Sequence, residues 1–170
     1  MAGSAISIEP LTAEVFATFG QVIQIEGAHH YPINGGMTER FHDLAKVELG
    51  GDSARPLISI FRGQPYALPL SLRLVERHPL GSQAFFPIGA ASWLVIVAED
   101  EGGTPASIRA FRPAAGQGVN IAMNVWHGVL TVLDEPSDFI VVDRGGDGNN
   151  LEEHHFPEPF LITCSTAEPL

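Results

Sequence analysis

The sequence predicts an all-β fold, an antiparallel sandwich or barrel with one or two short helices. Three observations lead there. About ten short alternating or apolar segments recur at spacings near ten residues. Glycine and proline, 18 and 13 of 170 residues, are too frequent for a helical bundle. Glycine clusters fall between the segments, where strands must turn.

In chain order, Thr12 and the AEVFATFG that follows read as a short helix. Thr12 caps it, Val15, Phe16 and Phe19 give it an apolar face, and Gly20 stands where a C-terminal glycine belongs. Strands then follow as QVIQIE from Gln21, FHDLAKVEL from Phe41, PLISIFR from Pro56 and LRLVER from Leu72. QAFFPI from Gln83, SWLVIVAED from Ser92 and SIRAF from Ser107 continue the series. GVNIAM from Gly118, VWHGVLTVLD from Val125 and DFIVVDR from Asp138 complete it. Turn chemistry separates them: Asn34-Gly35-Gly36, Gly50-Gly51-Asp52, Gly102-Gly103, Ala114-Ala115-Gly116 and Gly145-Gly146-Asp147-Gly148. The proline-rich end, from Phe156 and in particular 158–170, reads as an irregular surface tail of a single domain spanning 1–170.

With 9 Lys+Arg against 20 Asp+Glu the formal charge is −11, which excludes a nucleic-acid partner for want of clustered cations. The longest apolar run, Trp93 to Ala98, is far short of the ~20 residues that span a membrane, so no membrane partner is expected. One cysteine, Cys164, and an N-terminus without basic and apolar signal regions predict a cytoplasmic protein.

The chemistry concentrates in two segments. In Glu76-Arg77-His78-Pro79-Leu80-Gly81-Ser82-Gln83, strand alternation sends Glu76 and His78 to one face and Arg77 to the other. Pro79 and Gly81 turn the chain, and Gln83 opens the returning strand, so three metal-capable or proton-handling groups can converge across one hairpin. In Asn124-Val125-Trp126-His127, a histidine opens an otherwise apolar strand. Each reading has a plain alternative: a polar hairpin tip for the first, a hydrogen-bonded core histidine for the second. Trp93 and Trp126 read as core or pocket-wall aromatics, and the pairs His29-His30 and His154-His155 as solvated loop histidines.

Together the two segments resemble the cupin pattern, H-x-H, a Glu four or five residues on, and a last His heading a later strand. Glu76 stands for the first His, His78 for the second, Gln83 for the Glu and His127 for the last. The resemblance implies a double-stranded β-helix, the cupin or jelly-roll barrel. ERHPLGSQAF, with WLVIVA, RAF, GQGVN, NVWH and DFIVVDRGG, further resembles the ureidoglycolate lyase family of cupins. FHDLA, ISIFR and the NGG–R segment belong to the same pattern, which runs from about Leu11 to Glu152. Where members of that family carry Tyr-x-Arg before the NVWH segment and His-Pro after it, this chain has Ile121, Ala122, Met123 and then Gly128, Val129.

The resemblance implies cleavage of (S)-ureidoglycolate to glyoxylate and urea in allantoin breakdown. It implies a divalent metal, nickel, on Glu76, His78, Gln83 and His127, held weakly because Gln83 is a neutral donor. Arg40, Arg62, Arg144 and Asn34 are the candidates for binding the anionic ureido acid, with Arg62 or Arg40 preferred as the carboxylate clamp. His42 is a candidate general acid or base beside Asp43, although adjacent strand residues face opposite sides. A homodimer through sheet edges is expected. Two alternatives stand beside the lyase: a hydrolase releasing ammonia, and a non-catalytic cupin that binds a small carboxylate. An acidic chain serving an anion should concentrate its arginines at the pocket, with the metal adding positive charge.

Overall fold

Strands dominate the computed structural model, which describes residues 4–164. In order they are β1 (Ala5–Pro10), β2 (Gly20–Ile23), β3 (His30–Ile33), β4 (Thr38–Phe41), β5 (Arg55–Gly63), β6 (Leu70–Arg77) and β7 (Gln83–Pro87). There follow β8 (Trp93–Glu101), β9 (Thr104–Arg112), β10 (Gly118–Ile121), β11 (Trp126–His127), β12 (Thr131–Val132), β13 (Ser137–Gly145) and β14 (Glu152–Thr163). One α-helix, α1 (Ala13–Phe16), is capped as expected: the Thr12 hydroxyl accepts from the Val15 amide. The NGG turn is a single 3-10 turn.

β11 bonds to both β6 and β8, so the order β11-β6-β14-β1-β9-β8 returns on itself and closes a barrel. A five-stranded sheet, β2-β10-β7-β13-β5, lies against it, and β3 and β4 pair only with each other. The all-β class, with a closed barrel and one short helix, is the one the sequence predicts.

β8 explains its own continuous apolar run. Val95 and Val97 face a core shared with Phe85, Val119, Phe139 and Val141 of the five-stranded sheet. Leu94, Ile96 and Ala98 face a second core with Val75, Trp126 and Ile162. A strand buried on both faces reads as unbroken hydrophobics rather than as alternation. Trp93 and Trp126 are core residues.

Four sequence expectations need correction. The end of the chain is not an irregular tail through residue 163: β14 lies between β6 and β1, with Ile162 fully buried. Its prolines, Pro157 and Pro159, fall where the ladder with β6 breaks register between His155 and Phe160, a place that asks for no amide donor. The remaining positions, 165–170, lie outside the described residues.

FHDLAKVEL leaves the strand after Phe41. Asp43 is left-handed (φ 55°), and side chains satisfy part of the segment's backbone in place of a continuous ladder. Asn120 donates to the Lys46 carbonyl, and the Ser82 hydroxyl accepts from the Glu48 amide. Gly20 does not cap the helix. It opens β2 at φ 151°, where an added Cβ would overlap the Asn120 carbonyl oxygen. VWHGVLTVLD is two short strands rather than one, because Gly128–Leu130 leave the ladder and Val129 and Leu130 line a cavity. The sequence reading also passed over β1, which pairs in parallel with both β14 and β9.

Candidate metal centre

β6 and β11 meet in antiparallel register with Glu76 opposite His127, and His127 is also opposite Val97 of β8. Cross-strand partners share a face, so carboxylate and imidazole both point into the space between the sheets. His78, just past the end of β6, brings its ring to 5.2 Å from that of His127. One ligand atom from each of Glu76, His78 and His127 lies within 4.8 Å of the other two.

Both rings are held in the tautomer that frees Nε2. His78 Nδ1 is 2.7 Å from the Asn150 carbonyl oxygen, and His127 Nδ1 is 3.0 Å from that of Gly128. A carbonyl only accepts, so each Nδ1 carries the hydrogen, which in a neutral ring leaves the lone pair on Nε2. Both Nε2 atoms are buried without a partner. His127 is 1% exposed, and burial lowers its pKa to about 4, helped by repulsion from His78 and opposed by its bond to Gly128. It is neutral at pH 7. Burial raises the Glu76 carboxyl above its ordinary value, with His78 pulling the other way.

Glu76 and Gln83 share the lining of an open cavity of about 740 Å³ with Phe61, Tyr66, Val129 and Leu130. Gln83 Nε2 donates to Asp143 Oδ2 at 3.5 Å, and Gln83 Oε1 is buried and unpartnered. Two imidazole lone pairs, a carboxylate and an amide oxygen with no hydrogen-bond donors among them are a donor set for a divalent cation of borderline softness. Glu76, His78 and His127 thus make a possible binding triad for a metal ion.

Of the other candidates, Arg62 lines the same cavity and the rest are elsewhere. Alternation in β5 puts Arg62 on the same outward face as Ile58 and Ile60, and its guanidinium makes a two-bond pair with Asp138 at 2.7 and 2.9 Å. Arg62 nevertheless also lines the cavity that Glu76 and Gln83 share. Arg144 is buried, and donates to the backbone carbonyls of Gly50, Asp52 and Asp147, which ties two loops together. Gly81 is required beside it, because an added Cβ would stand 2.6 Å from the Arg144 Cβ. Arg40 is exposed on the β3–β4 hairpin, and Asn34 donates to Thr38 at that hairpin's tip. His42 packs its ring edge-on or tilted against Tyr31 and His29 and lines a different cavity with Asp43. Since it follows the end of β4, the strand argument that separated it from Asp43 does not apply. Arg77 faces away from the site as alternation requires, lying 4.3 Å over the Trp126 ring between Asp100 and Glu152. Among the described residues, Arg62 is the one arginine in that cavity lining, and it is paired with Asp138.

Two residues of the site were missed. Asn150 orients His78 through its carbonyl and holds the Leu80 amide through Oδ1 at 2.8 Å. Nothing in GGDGNN distinguishes it from a turn residue. Asp143 was legible: it shares the inward face of β13 with Phe139 and Val141, where an acid is out of place. Of the positions that depart from the family pattern, Ile121 belongs to the core between the sheets.

A family model described as ureidoglycolate lyase matches residues 3–163. The chain is 61% identical over 157 residues to a ureidoglycolate lyase of Chelativorans sp. strain BNC1, covering 92% of this chain and 95% of that one. It is 57% identical to a ureidoglycolate lyase of Mesorhizobium japonicum, over 92% and 96% of the two chains. It is 53% identical to ureidoglycolate lyase 1 of Rhizobium meliloti strain 1021, over 97% of each. With its barrel, its convergent Glu76, His78 and His127, and this similarity along nearly its whole length, the chain belongs to the ureidoglycolate lyase family.

Proposed function

We propose that this protein is a metal-assisted lyase that cleaves (S)-ureidoglycolate to glyoxylate and urea, acting in the cytoplasm in allantoin breakdown. The observation that carries the reading is the convergence of two free imidazole Nε2 lone pairs and the Glu76 carboxylate. Glu76 itself lines the open cavity. Glu76, His78, Gln83 and His127 would hold the metal, and nickel is the choice the family resemblance implies. A divalent cation bound there would lower the pKa of a substrate hydroxyl and would stabilise negative charge developing on that oxygen.

The chemistry asks little else of the chain. The hydroxyl loses its proton, the carbon–nitrogen bond breaks with formation of the glyoxylate carbonyl, and the leaving urea nitrogen gains a proton. Glu76, whose burial raises its proton affinity, is the carboxylate on the cavity wall. Phe61, Phe85 and Leu130 limit water around it. The substrate carboxylate meets no free arginine in the cavity lining, since Arg62 is paired to Asp138. Positive charge at the metal centre therefore has to balance it.

Homodimerisation belongs to the same proposal. β5 is the outer strand of its sheet, and Ile58 and Ile60 on its outward face are 81% and 67% exposed. Ile140 and Phe86, opposite one another on the neighbouring strands, extend that face. The exposed isoleucines of this edge strand, which lie between Arg55 and Arg62, invite pairing, and a second copy supplies the self-complementary partner across a twofold.

The test is product analysis after incubation with each ureidoglycolate enantiomer, with and without added nickel. Glyoxylate and urea in equal amounts support the lyase. Ammonia in place of urea supports the hydrolase, and tight binding without turnover supports a non-catalytic carboxylate binder.

A further inference from the structure

Among the described residues, five buried side-chain atoms lack a hydrogen-bond partner: His78 Nε2, His127 Nε2, Gln83 Oε1, Asp143 Oδ1 and Asn120 Oδ1. The two imidazoles have an account in the metal centre. Gln83 lines the same cavity as Glu76, and one hydrogen bond joins it to Asp143, from Gln83 Nε2 to Asp143 Oδ2.

A glutamine amide can turn over, exchanging its oxygen for its NH2 at almost no steric cost. What fixes it is the neighbour. Asp143 lies on the inward face of β13 opposite β7, which carries Gln83, and no arginine or lysine pairs with it among the described residues. An ionised carboxylate accepts and never donates, so it holds the NH2 toward itself and repels the amide oxygen. In the reverse orientation two acceptors would face each other in a buried space, and the NH2 would be left without a partner. The carboxylate thus selects the orientation that leaves the Gln83 oxygen free.

We propose that Asp143 is a positioning residue: it sets the Gln83 amide so that the oxygen, not the NH2, is offered to the cation held by Glu76, His78 and His127. The role of Gln83 as a donor rests on the metal reading above, whereas its orientation by Asp143 does not. Groups that orient a metal ligand from behind typically change affinity by 10–100-fold when replaced.

The experiment uses Asp143→Asn, which preserves shape but can both donate and accept and so no longer chooses an orientation. Nickel is titrated calorimetrically into chelator-treated wild type, Asp143→Asn, Gln83→Ala and the Asp143→Asn/Gln83→Ala double variant. Nickel affinity is expected to fall at least about tenfold in Asp143→Asn, and to fall no further when that change is added to Gln83→Ala. Adding Gln83→Glu to Asp143→Asn should restore binding, since a carboxylate at 83 offers an oxygen in either orientation. Wild-type affinity in Asp143→Asn, or an equal loss in the Gln83→Ala background, overturns the proposal. A second readout needs no metal: the Gln83 side-chain NH2 resonances of the metal-free protein should move in Asp143→Asn, and unchanged resonances overturn it. Failure of the wild type to bind nickel would count against the metal reading, and the resonances would still decide the role of Asp143.

Discussion

Glu76 and His127 are direct cross-strand partners, one from β6 and one from the two-residue strand β11 that closes the barrel. Closure of the fold and assembly of the site are thus one event. β11 can bond to β6 and β8 together only by bringing a buried imidazole against the carboxylate. The arrangement is fixed by backbone ladders rather than by a mobile loop, and preorganisation of that kind is what a metal centre requires.

His78 lacks such a ladder and depends on Asn150. Replacing Asn150 by Ala keeps the carbonyl that orients the imidazole but removes the acceptor for the Leu80 amide. The loss should be about 1–3 kcal/mol of stability, the cost of one buried unpaired donor. Loosening of the 78–82 turn should also lower kcat/KM. Urea denaturation and steady-state kinetics measure both, and unchanged values in each would remove Asn150 from the site.

The buried imidazole makes the metal-free protein sensitive to acid. His127 has a folded pKa of about 4 against 6.5 when unfolded. Above pH 6.5 neither state is protonated and its contribution is complete. As pH falls from 6.5 toward 4 the unfolded state takes a proton that the folded state refuses, and stability is lost, by roughly 2 kcal/mol at pH 5. Glu76, with a raised pKa, works in the opposite sense in the acidic range. Comparing the pH slope of unfolding free energy between wild type and His127→Gln isolates the histidine. Equal slopes would contradict the assignment.

Arg62 forms an exposed pair on the outer face, so its removal should matter little to turnover. Arg62→Ala should change kcat/KM by no more than about threefold, as for other solvent-exposed ion pairs. A large rise in KM would return it to the role of carboxylate clamp.

The outward apolar face of β5 gives a direct test of assembly. Light scattering should find the wild type at twice the chain mass of 18.2 kDa, and Ile60→Glu at the single-chain mass with its spectrum of secondary structure unchanged. A wild-type monomer, or a dimer that survives the charge, places the interface elsewhere or removes it.

Much of this was legible in the sequence, for physical reasons that differ by element. Alternation separated Arg77 from Glu76 and His78, and SWLVIVAED was legible as a strand, while its burial on both faces emerged only with the two cores. β14 was not legible, because Pro157 and Pro159 argue against a strand wherever the partner's register is unknown, and the break that accommodates them is a tertiary feature. The arginines misled for a similar reason. Composition counts cations but says nothing of their partners, and Arg62, Arg77, Arg109 and Arg144 are all held by carboxylates or carbonyls. The Asn150 carbonyl that orients His78 belongs to the backbone, which no side-chain pattern reports.

The central claim is that Glu76, His78 and His127 form a metal centre that drives release of urea. The most direct measurement is turnover of (S)-ureidoglycolate by chelator-treated wild type and His127→Ala, each titrated with nickel, with glyoxylate, urea and ammonia followed together. The expected result is nickel-dependent formation of glyoxylate and urea in equal amounts by the wild type, with at least 100-fold less by His127→Ala, about 2.8 kcal/mol of lost transition-state stabilisation. Equal turnover by the two proteins, activity indifferent to nickel, or ammonia as the nitrogen product would contradict it.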